Sequence, residues 1–395
     1  MGEGFRPTVL TMISILLCSM LMLMGGAAVA PALPLINEVF PGQDFLVSLI
    51  ITLPSLVIAL VGFGMGALAD RFGKVRVLVL SLVVFTISGA ISYFLDDLTV
   101  ILIARAVLGV GLAGVSTAVT ALIAEYYSGI NRVKMMSYQS AAIGVGILVL
   151  EYTGGSLAEI SWRAPFLVYL LGVPILICVL MSMREPRHMG CHPDCPMPDD
   201  RKADVRIIIL CYLAIFLMNT MSFLMPTKMT FYLEDIGVTA SMVGLFLGVH
   251  GVVNSVVSLM YHRINSRVHA FTLMSVGFLL MGLALCILMI DGSVSMAMVT
   301  LVVSGVAMGI MIPSIANTLA SQTTHRSSGK IMGGYATCMN LGQFSISLIS
   351  VPLFTAVGCD YPTMFAAIGS MAFVLAVVYG LYGTHLRRSG VGGPI

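Results

Sequence analysis

The chain has 395 residues, 58% of them apolar and only 10% Asp, Glu, Lys or Arg, against about 25% charge in soluble domains. That leaves too little polar residue to cover a water-facing surface, which excludes a soluble enzyme along with disordered and fibrous classes. The formal charge of +2 offers no basic footprint for nucleic acid, and Cys18, Cys178, Cys211, Cys286 and Cys338 lie inside apolar runs, so no disulfide framework can be read.

A helix needs roughly 20 predominantly apolar residues to cross a hydrocarbon core. Along the chain such runs lie near 8–35, 45–67, 77–95, 98–123, 135–157 and 164–183, which are spans 1 to 6. They resume near 206–226, 240–261, 269–290, 294–319, 331–354 and 362–384, spans 7 to 12. The runs are continuous and lack the alternation of an outer-membrane strand, so they predict helices. The expected fold is an all-α polytopic membrane protein with twelve transmembrane helices in two pseudo-symmetric six-helix halves. Span 1 is too long for the apolar core of a signal peptide, about 7–15 residues, and Pro31 follows the cleavage-like Ala28-Val29-Ala30. It is read as a retained span.

The stretch from Arg184 to Arg206 is polar and holds Pro186, Pro193, Pro196 and Pro198. It reads as a linker over 184–205 that joins an N-terminal half, 1–183, to a C-terminal half, 206–395. Cys191-His192-Pro193-Asp194-Cys195 supplies only half of a structural zinc ligand set, with no second cluster in the chain. No metal or other cofactor is expected.

Basic residues fix the orientation. With both termini inside, every Lys and Arg except Arg105, Arg163 and Lys228 falls in a cytoplasmic segment, while the opposite loops carry Glu38, Asp44, Asp96, Asp97, Glu159, Glu234, Asp235, Asp291 and Asp360. This predicts a multi-pass protein of the plasma membrane with cytoplasmic termini.

The halves echo each other. Gly66-Ala-Leu-Ala-Asp70-Arg71-Phe-Gly73-Lys74 after span 2 is answered by Ser258-Leu-Met-Tyr-His262-Arg263-Ile-Asn265 after span 8. Span 4 carries Gly109, Gly111 and Gly114, and span 10 carries Gly305, Gly309 and Pro313. Span 6 opens with Trp162-Arg163-Ala-Pro165-Phe166, and span 12 with Asp360-Tyr-Pro362-Thr-Met-Phe365. Duplicated six-helix halves are a transporter architecture with its substrate site near the midplane between them.

These residues resemble the major facilitator superfamily over nearly the whole chain. Gly66-x3-Asp70-Arg71-x-Gly73-x-Val75-Arg76 is similar to its loop 2–3 signature, and Ile101-x3-Arg105-x3-Gly109-x-Gly111 to the signature of its fourth helix. Ala32-Leu33-Pro34, Trp162-Arg163 and Asn340-Leu-Gly342-Gln343 also look typical. The nearest likeness is to the twelve-span drug:proton antiporters. Their span 5 signature ends Gly-Pro-x-x-Gly-Gly; here Leu150-Glu151-Tyr152-Thr153-Gly154-Gly155 keeps the two glycines and loses the Gly-Pro. Span 1 also lacks the acidic residue of several such antiporters, since Glu38 lies beyond Pro34. The resemblance implies a conformational gate at Gly66, Asp70, Arg71, Gly73 and Arg76. In it Asp70 meets the N-terminus of span 11 and Arg71 joins a charge network that holds the outward-open state.

Charge inside a membrane is costly and marks function. Arg105 and Glu151 lie at similar depth on consecutive spans. They are expected to form an exchangeable pair in which Glu151 loads a proton when Arg105 is displaced; a static neutralising pair is the alternative. His250, mid-span 8, could relay protons or simply bond a neighbouring helix. Lys228 could attract an anionic substrate or snorkel to the interface. Gln139, Asn219, Asn254, Asn317, Asn340 and Gln343 either line a cavity or join helices. The 29 Met read as flexible core or lipid-facing bulk.

The expected function is secondary active transport by alternating access: proton-coupled export of small organic or drug-like molecules by a monomer in the bilayer. The alternative is a proton symporter or facilitator for an organic anion or metabolite. An enzyme lacks its machinery, since the chain contains no HExxH, nucleophile elbow or Walker motif.

Overall fold

The computed structural model describes residues 7–22, 24–185, 204–265, 269–322 and 328–388. Arg6, Arg187, Arg201, Lys202, Arg267, Arg326 and the Cys191–Cys195 cluster lie outside them. The described residues form helices and no strands. Eleven helices are long and apolar enough to cross a membrane, and the bent pair Val9–Leu21 and Met24–Val39, at 52°, makes a twelfth span.

Most spans are longer than their apolar runs. Span 2 is Asp44–Phe72, span 4 is Leu98–Tyr126, span 5 is Gly129–Ala158, span 8 is Ala240–Asn265 and span 10 is Val294–Ser321. Span 11 is Ser328–Ala356 and span 12 is Tyr361–Arg388, whereas spans 3 and 9 are the shorter Lys74–Ile91 and Ala270–Ile287. Span 6 opens as a 3-10 turn, Ala164–Leu171, before Gly172–Ser182. Span 7 departs furthest from expectation. Pro226 does not stop it: the helix widens into a π turn at Met225–Met229, tolerates the missing N–H there, and runs on to Asp235. Lys228 is thereby carried into the bundle and is only 4% exposed, so it does not snorkel.

Buried apolar residues gather into two large clusters. One is built on spans 1 to 6 and the other on spans 7 to 12. Phe231 of span 7 sits in the first and Ala30 of span 1 in the second, so spans 1 and 7 cross over at the end that carries the acidic loops. Two further helix pairs join the clusters, span 5 with span 8 and span 2 with span 11.

Small residues allow these close crossings. A Cβ on Gly155 would strike the Ala240 carbonyl, and one on Gly244 the Glu151 carbonyl. Gly154 packs in the same way on the Ala28 carbonyl of span 1. Both glycines kept from the span 5 signature therefore have a packing role.

The span 2–span 11 seam is asymmetric along its length. Toward the acidic loops it is tied by Thr52 Oγ1 to Ser347 Oγ at 2.6 Å and by Ser55 Oγ donating to Gln343 Oε1 at 2.8 Å. At helical spacing the same face of span 2 continues through Gly62 and Gly66. There a Cβ would meet nothing within 4 Å at Gly62, and only a Thr117 methyl at 3.9 Å at Gly66. The interface is closed toward the acidic loops and splayed toward the basic ones.

This contrast predicts opposite outcomes for two glycines. Gly244→Val should destabilise the protein by about 1–3 kcal/mol through overpacking, read as a lower Tm of purified protein. Gly62→Ala should leave the stability within about 0.5 kcal/mol of the parent, read as a nearly unchanged Tm. Equal effects of the two would disprove the splayed seam.

Candidate functional site

Arg105 is completely buried, and local backbone chemistry explains its partners. Pro54 has no N–H, so the Ile50 carbonyl four residues earlier lacks its helical donor; Arg105 Nε donates to it at 2.8 Å. Span 1 breaks after Gly25-Gly26, where Val29 N donates to Gly26 and leaves the Gly25 carbonyl free. Arg105 Nη2 donates there, and Nη1 donates to the Tyr169 hydroxyl at 2.7 Å. That hydroxyl donates to the Met24 carbonyl at 3.1 Å. The guanidinium also lies over the Tyr169 and Phe166 rings, 5.0 and 5.9 Å from their centroids. One planar donor fork thus fastens spans 1, 2, 4 and 6 together.

The expected Arg105–Glu151 pair is not formed. Lys74 pairs with Asp70 and Glu125, and Arg163 with Asp96. Arg105 faces spans 1, 2 and 6, whereas Glu151 lies where span 5 crosses Gly244 of span 8. Depth along a helix matched them; azimuth separates them. Glu151 is 6% exposed, and its Oε2 is buried without a hydrogen-bond partner.

The polar residues divide into two groups. Gln343 Nε2 donates to Asn219 Oδ1 at 3.5 Å while Ser55 donates to Gln343, so spans 2, 7 and 11 share one polar layer. Thr220 extends it, with its hydroxyl 3.1 Å from the Gly342 carbonyl and 2.8 Å from Ser345 Oγ. The others join helices. His250 Nδ1 lies 3.0 Å from both the Leu301 carbonyl and Ser304 Oγ of span 10, a bond to a neighbouring helix. Gln139 Nε2 donates to Met22 Sδ at 3.6 Å, and Asn340 Nδ2 to its own helix at Ala336. Asn254 sits where its carbonyl would lie 2.7 Å from a Cβ on Gly309.

At the basic-loop end the gate residues find local partners. Asp70 is exposed and lies 3.9 Å from Lys74 Nζ. Arg71 lies over the Phe72 ring, and Arg76 is exposed. Gly73 has φ +101° and a Cβ there would lie 2.7 Å from the Glu185 carboxyl carbon, so only glycine serves. That carboxylate caps span 3, accepting from Lys74 N at 2.5 Å and Val75 N at 3.0 Å. Sequence reasoning missed Glu125 and Glu185; for Glu185 its position between Arg184 and Arg187 was the available signal.

At the other end Glu159 Oε1 accepts from Ser241 N at 3.2 Å, a carboxylate of span 5 on the N-terminus of span 8. Hydrogen bonds from the Ser241 side chain and backbone, and from Thr239, hold its pKa below the usual 4.5. A depressed carboxylate pKa means the contact is favoured above the free value and lost as pH falls through the bound one. Spin labels at Ile160 and Val238 should therefore show a single distance at neutral pH and a broadened one well below pH 4.5. Glu159→Gln should broaden it already at neutral pH; an unchanged distribution in that variant would remove the latch.

A sequence profile described as Major Facilitator Superfamily matches residues 15–196 and 208–391. The chain is 26% identical over 330 residues to the class C tetracycline resistance protein of Escherichia coli, covering 79% of this chain and 81% of that one. It is 24% identical over 371 residues to the class B protein of the same organism, covering 89% and 87%. Among solved structures, the inward-open xylose transporter XylE from E. coli superposes with a TM-score of 0.74 at 17% identity, covering 93% and 94%.

Proposed function

Because the chain belongs to the major facilitator superfamily of membrane transporters, we propose that it is a proton-coupled exporter of small amphipathic organic molecules, working by alternating access. The observation that carries this reading is Glu151: a carboxylate with one oxygen unpaired, buried in the seam between spans 5 and 8. Leaving such an atom unpaired in low dielectric is costly, and proton uptake and release there bear directly on a crossing that must loosen when access changes.

The moving bodies are the halves 1–183 and 206–395 joined by the linker 184–205, with both termini cytoplasmic in the cell membrane and one chain as the working unit. In the present conformation the splayed end is the cytoplasmic one. In the opposite state Gly62 and Gly66 close against span 11, and Asp70 leaves Lys74 for the N-terminus of that span. The layer of Ser55, Asn219 and Gln343 lies at the closed end of the splayed interface and forms the substrate-facing floor. Export is supported by likeness to two proteins named for tetracycline resistance; removing a compound from the cell is how a transporter confers resistance to it.

The test is uptake into inside-out vesicles bearing the protein, with tetracycline as the probe and an imposed pH gradient. Accumulation that follows the gradient and collapses with a protonophore is the expected result. Accumulation indifferent to the gradient would overturn proton coupling, and movement only in the opposite direction would favour the symporter reading.

A further inference from the structure

We propose that Lys228 is a substrate-binding residue that receives an anionic group, so that the molecules carried are acids or zwitterions rather than simple cations. The proposal deepens the transport reading above and rests on it.

Lys228 lies in the π turn Met225–Met229 of span 7 and is 4% exposed. Its ammonium stands 5.2 Å from the centroid of Phe231 and 5.9 Å from that of Phe354 on span 11. No ion pair among the described residues includes it. Aromatic faces stabilise a buried cation, but they give its three N–H donors no acceptor oxygen.

On the facing span 11 another buried group lacks a partner: Ser350 Oγ, one turn before Phe354. It is a hydroxyl able to donate to an anion. The location fits a substrate route. Phe231 packs in the core of the opposite half, so Lys228 stands where span 7 crosses between the halves. It lies about two and a half turns along span 7 from Asn219 toward the closed end. An anionic group leaving the Asn219–Gln343 layer for that end passes this ammonium. The Ala30–Ala32 turn of span 1 touches both span 5, which carries Glu151, and the π turn, which carries Lys228.

The test uses rhodamine 110, which carries a free carboxylate, and rhodamine 123, its methyl ester. Binding of each to the full chain in nanodiscs is followed by fluorescence polarisation. The expected result is acid-over-ester preference of about tenfold in the wild type, lost in Lys228→Met and regained in Lys228→Arg. A wild type without the preference, or a folded Lys228→Met that keeps it, overturns the assignment. Should Lys228→Met not fold, Lys228→Gln is read in its place. Failure of rhodamine 110 to follow a pH gradient in vesicles would overturn the export reading while leaving a Lys228-dependent binding preference standing.

Discussion

Arg105→Ala is expected to lower the stability of the purified protein by about 3–6 kcal/mol and to reduce transport at least 100-fold. The estimate follows from what the side chain satisfies. Its removal orphans the Ile50 carbonyl, already deprived of a helical donor by Pro54, and leaves the Gly25 carbonyl only the Tyr169 hydroxyl at 3.4 Å. A buried polar group left unsatisfied costs about 1–3 kcal/mol, and the lost contact of the guanidinium with the Tyr169 and Phe166 rings adds to these two losses. Arg105→Lys should recover only part of this, because a compact ammonium cannot span three acceptors held by the planar fork. Thermal unfolding in detergent, read beside transport, checks the claim. Transport lost at unchanged Tm would show instead that Arg105 acts on substrate or proton.

How far this was legible in the sequence varies with the kind of information required. Span number and the segregation of basic from acidic loops need only composition along one dimension, and the loop 2–3 and helix 4 motifs were enough for the family. The Arg105 staple requires knowing which way a side chain points around its helix. Sequence gave the depth of Arg105 and Glu151 but not their azimuth, so the two were paired wrongly. Clues to the staple were present in Pro54 and in Gly25-Gly26, each of which frees a carbonyl that a buried donor must take. Lys228 was misplaced for another reason. An apolar run that ends at Pro226 looks finished, and nothing in composition announces a π turn that carries the helix nine residues further. Of the polar candidates, Asn219 and Gln343 share a layer, while Gln139, His250 and Asn340 bond helices or their own backbone; residue type alone does not separate those roles.

Glu151→Gln is expected to abolish pH-gradient-driven accumulation, by at least tenfold, while leaving counterflow exchange of the same probe within about twofold of the parent. The two assays separate energy coupling from the conformational cycle. Exchange requires only that the loaded carrier reorients; accumulation against a gradient requires a group that binds a proton on one side and releases it on the other. Glutamine keeps the shape of the side chain and removes its titration. Because Glu151 has no ion-pair partner, the substitution strands no opposite charge, and the staple around Arg105 stays intact. The fold should therefore survive with a Tm within a few degrees of the parent, so a loss of accumulation can be read as a loss of coupling. Intact accumulation in Glu151→Gln would take the proton away from span 5. The next titratable residue to test would be His250, whose bonds to Leu301 and Ser304 tie span 8 to span 10; protonating it would redirect those bonds within the C-terminal half. Coupling through Glu151 instead acts at the crossing of spans 5 and 8, where Gly244 brings the two halves into backbone contact. A proton there changes the charge of the surface that has to move.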